Sequence, residues 1–356
     1  MKYINKDMLQ SKRARTLFLT LGFVLVFLSG CVYLDSFSVT QTIDGKQCDY
    51  AYANTEATFT LTGHIECHED HSGVQFVVGF LAPKSWKVAE NAKVTYKCDL
   101  SEDHDQVLTM SAIPTTSLPK NGGGRTWVEC LTQTYGVGPN VLDDMEWVVF
   151  QTDDKYNIIN NQFPTYTIWI TTSVGEKNVK CHLGAFVNHT DDGFSGGTDH
   201  KKYTFSSECF EVVGGKGAVV DYCNLHFNKV APMAALQDDF VTFSFNGSVA
   251  DNTLKSGDVF INGVAHCASG NDYPMTDCTP ATQLKRANQY VETFTLTAWP
   301  VALFGVPEGE LIETIDYWFT NADGSITITK SDDDFNNEGT PVPAQKVPFT
   351  FVLECE

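Results

Sequence analysis

Val74–Leu81 reads VQFVVGFL, an almost unbroken apolar run dominated by Val and Phe. A short run of this composition, bounded by turn residues, fits a central β-strand buried on both faces. The segments on either side carry the complementary signal. Ala57–Ile65 (ATFTLTGHI), Ala92–Cys98 (AKVTYKC) and Val107–Ile113 (VLTMSAI) alternate with period two, as half-buried strands do. Glu146–Gln151, Tyr166–Thr172, Val179–Asn188 and Tyr203–Val213 extend the series. Beyond Asn228 come Val241–Phe245, Ser256–Asn262, Gln289–Trp299, Leu311–Thr320, Ser325–Thr329 and Val347–Cys355. Asp323-Gly324, between IDYWFTNA and SITITK, is a strong hairpin signal. Many short strands separated by turn clusters predict an all-β chain of two Ig-like β-sandwich domains in tandem.

One stretch departs from this pattern. Thr126–Tyr135 (TWVECLTQTY) starts with a capping residue and stops at Gly136, which predicts a short helix inserted in the first sandwich. Trp127, Cys130, Leu131 and Thr134 share one of its sides.

Ahead of the strands, Lys12, Arg13 and Arg15 precede an apolar run from Leu17 to Leu28. That is the layout of a secretory signal, too short to span a hydrocarbon core. Leu28-Ser29-Gly30-Cys31 resembles a bacterial lipobox, which implies cleavage before Cys31 and acylation of its thiol. The resulting division is a signal peptide over 1–30, a lipidated tether over 31–45, a first domain over 46–228 and a second over 229–356, and the polar stretch 32–55 reads as tether plus a first edge strand. Asp35 is an acid of the kind found in surface-export signals, and Val32 differs from the aspartate associated with inner-membrane retention. The expected address is the outer membrane or cell surface.

The chain carries 24 Lys/Arg against 44 Asp/Glu, a formal charge of −20. Five of those cations lie before Cys31, so the remainder is more acidic still. Such a surface disfavours nucleic acid and anionic glycans as partners and leaves neutral carbohydrate and cations open. Setting Cys31 aside leaves an even set of cysteines, which in an exported chain predicts disulfides. Cys267 with Cys278 is the expected loop-closing pair, with pairs inside each half elsewhere. No CxxC occurs, which speaks against zinc ribbons and thioredoxin-like chemistry.

VVGFLAPKSWK (77–87), Thr109-Met110, TWVECL (126–131), YGVGPNV (135–141), DMEWVVFQ (144–151), LGAFV (183–187) and CFEVVGG (209–215) together resemble a family of uncharacterised surface lipoproteins of Bacteroidetes. The resemblance runs from about Val74 to Asn224. It implies a component of a glycan-uptake locus of the starch-utilisation type, holding polysaccharide or oligosaccharide beside an outer-membrane transporter.

Residue chemistry supplies the candidate sites. His64, His68 and His71, with Glu66, Glu69 and Asp70, offer N and O ligands for a divalent metal, although strand alternation does not make them converge. The acidic stretches His189–His200 and Ser331–Glu338 carry calcium-type oxygens without EF-hand spacing, and read as solvated turns. Gly193-Phe-Ser195-Gly-Gly197 matches the nucleophile-elbow pattern but lacks the strand before it and the helix after it. Asp143, Asp144 and Glu146 are too ordinary in so acidic a chain to mark a glycosidase. Aromatics at element boundaries are the better lead for stacking on sugar rings: Trp86, Trp127, Tyr135 and Tyr273. Taken together, these readings predict a glycan-binding, non-catalytic lipoprotein with no cofactor. The alternative is a structural or adhesive lipoprotein that binds a protein.

Overall fold

The computed structural model describes residues 31–354, apart from 44–45, 196–198, 200, 233–234, 250–253, 255–256 and 288–290. The signal-peptide stretch and Cys355 lie outside the described residues. The chain is all-β, as expected, and forms two compact units. One comprises residues up to Glu176 with Lys180–Val213; the other comprises Lys177–Val179 with Gly214–Glu356. The exchange falls at Gly214, ahead of the division drawn at 228/229 from sequence.

The first unit is built on a nine-stranded antiparallel sheet. Its order is Cys31–Val39, Glu56–Glu66, Thr165–Ser173, Lys93–Cys98, Leu108–Ala112, Met145–Thr152, Phe76–Pro83, Gly184–His189 and Tyr203–Phe205. Every residue of Phe76–Pro83 is buried, which is why that run reads as continuously apolar. Leu34 N donates to Lys201 O at 2.7 Å, so the two ends of the sheet meet and the sandwich is barrel-like. Inside it Phe59, Phe80, Trp86 and Phe210 form an aromatic cluster.

Three local expectations are corrected. Residues 31–39 are not a tether. They form an edge strand in register with Glu56–Glu66, with Val32 and Tyr33 buried. The Tyr166 hydroxyl donates to Tyr33 O at 2.6 Å. This strand is hard to read because polar Asp35, Ser36 and Ser38 face outward and Leu34, Phe37 and Val39 are only half-buried. Val179–Asn188 is two strands, Lys177–Cys181 and Gly184–His189, interrupted where His182 N donates to Asn140 Oδ1. Tyr203–Val213 likewise divides into Tyr203–Phe205 and Phe210–Val213.

The inserted helix spans Trp127–Tyr135, as its sequence predicts. Thr126 and Glu129 form a capping box, each satisfying a backbone N–H of the other. Trp127, Cys130 and Leu131 are buried, whereas Thr134 is exposed.

In the second unit the sheet runs Asn228–Ala231, Val241–Asn246, Thr293–Ala298, Gln283–Arg286, Val259–Cys267, Ile312–Thr320 and Thr327–Ile328. Asp272–Met275 and Phe349–Val352 add to its central strands. Phe243, Phe245, Tyr317, Phe319 and Phe351 fill the core. The Asp323-Gly324 turn joins the last two strands of the sequence-predicted hairpin, with Gly324 at φ 71°.

Ser331–Glu338 is not a solvated turn. It lies in a helix, Lys330–Glu338, capped by Thr329 and Asp332 and ended by Gly339 in the left-handed region. Acids in its first turn complement the helix dipole.

The cysteines meet expectation in part. Cys209 and Cys223, a pair inside the first half, are disulfide-bonded. Cys48, Cys67, Cys98, Cys130, Cys267 and Cys278 are free thiols, and four of these six are buried. Cys267 sits in the core of the second unit while Cys278 Sγ faces Asn321 O, so the expected pair is not formed.

Candidate functional site

The three imidazoles do not gather around one ion. His64 Nδ1 lies 2.8 Å from the Asp35 carboxylate, so Asp35 too is engaged within the fold. His68 is exposed beyond the end of its strand. His71 is buried, 2.8 Å from Asp191 Oδ2, with its ring edge-on to His189 at 4.8 Å. Within His189–His200, Asp191 and Asp192 sit on protein cations instead of facing a calcium ion. Asp191 accepts from Lys120 Nζ at 2.7 Å, and that contact, followed by His71, holds its carboxyl down at about 2.

Asp192, next in the chain, turns inward. Lys202 Nζ stands 2.5 Å from Asp192 Oδ2, with the two side chains 2% and 5% exposed. The same Nζ donates to Ser195 O at 3.2 Å and to Asn188 Oδ1 at 3.3 Å. Asn188, fully buried, donates from Nδ2 to Gly193 O at 2.8 Å and Ser195 O at 3.3 Å. Ser195 Oγ donates to Asp192 Oδ1. Gly193 has φ +65°, and a Cβ there would lie 1.9 Å from Lys120 O, so the turn requires glycine. Gly193 thus folds Asp192 under the loop, and Ser195 is bound to a carboxylate instead of a histidine. Sequence alone marks Gly193, Ser195 and Asp192 only for other chemistry and does not mark Asn188 or Lys202, since a buried lysine looks like any other before its partners are placed.

The boundary aromatics divide by burial. Trp86 is 1% exposed and stacks on Phe59 at 6.1 Å; Trp127 is 5% exposed beside Phe186 and Phe194. Neither can present a face to a glycan, because each fills the core next to its boundary. Tyr135 packs on Tyr203 at 4.3 Å and on Trp147, and burial pushes its hydroxyl well above the usual phenol range. Tyr273 is half-buried, with its hydroxyl 3.5 Å from Glu310 Oε1.

An exposed aromatic pair lies elsewhere in the second unit. Phe240 and Trp299 are 60% and 50% exposed and stack at 4.9 Å with an interplanar angle of 28°. The Val241–Ala298 register brings them opposite each other. Pro300 opens the helix that follows, with Trp299 as its cap just past the strand end at Ala298. Period two puts Thr242, Thr297, Ser244 and Thr295 on the same outward face, and Thr242 Oγ1 meets Thr297 Oγ1 at 2.7 Å. The sequence signal for this pair is an aromatic at each of two strand ends, Asp-Asp-Phe240 and Trp299-Pro.

Residues 37–226 match the family model described as Domain of unknown function (DUF4961), more than half of the chain. The chain belongs to that family. In this DUF4961 protein, residues 228–328 match a second model, Domain of unknown function (DUF8578). No curated protein matches the sequence. Among solved structures, the DUF4961 chain is similar to the C-terminal domain of the Streptococcus pyogenes antigen I/II-family protein AspA. That pair shares 11% identity over 82% of this chain and 95% of the other, at TM-score 0.25. The major pilin subunit BcpA of Bacillus cereus gives 8% identity, 92% and 67% coverage and TM-score 0.21. The group B streptococcus pilus 2b backbone protein gives 12%, 89%, 94% and 0.22.

Proposed function

We propose that this protein is an exported lipoprotein, acylated at Cys31, that holds neutral polysaccharide or oligosaccharide at the outer membrane or cell surface without catalysis. The observation that carries the reading is the exposed Phe240–Trp299 stack. Two exposed, stacked rings offer a sugar ring a C–H contact face at little entropic cost. The adjoining Thr and Ser hydroxyls can exchange hydrogen bonds with sugar hydroxyls. The acidic charge suits a neutral ligand. A neighbouring outer-membrane transporter is the natural consumer of what is held. With the strand at residues 31–39 part of the fold, acylation at Cys31 would seat the first unit against the bilayer with no free tether. Affinity electrophoresis against a panel of neutral polysaccharides tests the binding, and labelling with palmitate in cells tests the anchor.

A second reading is a structural or adhesive lipoprotein that binds a protein. The strand Asn228–Ala231 favours it, since it stands at the edge of its sheet among the described residues, where strand addition occurs. A protein that co-purifies in detergent, with no retardation by any polysaccharide, would select it.

A further inference from the structure

Asn188, Asp192 and Lys202 of the first unit are sealed from water, and their contacts orient them for a reaction. A plain buried ion pair needs only Lys202 and Asp192. Here a carboxamide is added, and it is fixed: both recorded contacts of Nδ2 are to loop carbonyls, Gly193 O and Ser195 O, which leaves Oδ1 facing Lys202 Nζ at 3.3 Å. Asn188 also lines an apolar cavity with Val32, Phe76 and Val187, so little water reaches the group. An amine and a carboxamide held in contact, with a carboxylate on the amine, are the reactants and proton carrier of an amide exchange.

We propose that Lys202 and Asn188 join in an intramolecular isopeptide bond, with Asp192 carrying the proton. One proton passes from the Lys202 ammonium to Asp192 Oδ2, which frees the Nζ lone pair. Nζ attacks Asn188 Cγ and an Nζ–Cγ bond forms. Asp192 returns the proton to Nδ2, the Cγ–Nδ2 bond breaks, and the remaining ammonium proton equivalent leaves with ammonia. Nothing is oxidised or reduced, and no co-reactant is consumed. Fixed contact geometry supplies the effective concentration such a step needs, and a positioned carboxylate supplies the general acid and base. The bond ties the Gly184–His189 strand to the residue just before Tyr203–Phe205, next to the seam where the sheet closes. The inference stands on different residues from the glycan reading and does not depend on it.

The test is the mass of the full chain, purified, reduced and denatured, beside Asp192→Asn prepared in the same way. The wild-type mass is expected about 17 Da below that of its sequence, the loss of one ammonia on amide exchange. Digestion should release a branched peptide joining Asn188 to Lys202. Asp192→Asn should keep its full mass. A wild-type chain that is folded by near-ultraviolet circular dichroism yet has its full sequence mass would overturn the proposal. So would a loss of ammonia confined to a linear Asn188 peptide. If Asp192→Asn does not fold, the wild-type mass and the branched peptide still decide.

Discussion

Lys202 Nζ and Asp192 Oδ2 lie 2.5 Å apart in a part of the first unit that is almost closed to solvent. Removing one partner of such a pair leaves an uncompensated buried charge. Asp192→Ala is therefore expected to cost about 3–5 kcal/mol, read as a fall in the denaturant midpoint of the first unit. Asp191→Ala, whose side chain is 44% exposed, should shift the midpoint far less. Equal effects from both would contradict the burial argument.

Trp86 and Trp299 separate a packing role from a surface one. Trp86→Ala empties a filled core position and should cost about 3–5 kcal/mol. Trp299→Ala, at an exposed position, should stay within about 0.5 kcal/mol. Thermal melts of the two variants check both values.

Tyr166→Phe tests whether residues 31–39 belong to the folded body. It removes the buried hydrogen bond to Tyr33 O and should cost about 1–3 kcal/mol. A neutral result would return that segment to the role of a tether.

His226 and Asp221 set a pH window for the second unit. Burial alone would lower His226, but its hydrogen bonds to Asp221 and Asp333 outweigh that and raise it to about 9. Burial alone would raise Asp221; hydrogen bonds from His226, Asn224 and the Cys223 and Asn224 backbone bring it down to about 2. A raised histidine contributes stability fully present below its unfolded value of about 6.5 and lost as pH climbs through about 9. A depressed aspartate contributes stability present above about 4 and lost as pH falls toward about 2. The melting temperature of the second unit should thus decline from pH 6.5 to pH 9, and His226→Gln should flatten that decline. An unchanged slope in the variant would rule the histidine out as its source.

The strands were largely readable because their burial is periodic. Glu56–Glu66 and Thr165–Ser173 alternate between core and surface, and Phe76–Pro83 is buried throughout. The Trp127–Tyr135 helix was readable because Thr126 and Glu129 cap it locally. Lys330–Glu338 was not, since Asp, Asn and Ser are poor helix formers. It is held partly by a tertiary contact: Asp333 accepts from Phe227 N at 2.8 Å and pairs with His226. The candidate sites were less legible still. Trp86 sits at an element boundary yet packs inward, while Phe240 and Trp299 meet only once two strands are in register. The pairing of the cysteines is not legible in the sequence, because an even count says nothing of where each sulfur points. Buried Cys67, Cys130 and Cys267 act as small apolar residues.

The most direct measurement is affinity electrophoresis of the wild-type chain and Trp299→Ala through gels containing neutral polysaccharides. At least one polysaccharide should retard the wild type and leave Trp299→Ala, equally folded by circular dichroism, at its unretarded mobility. Equal mobility of both proteins in every gel would contradict the glycan-binding role.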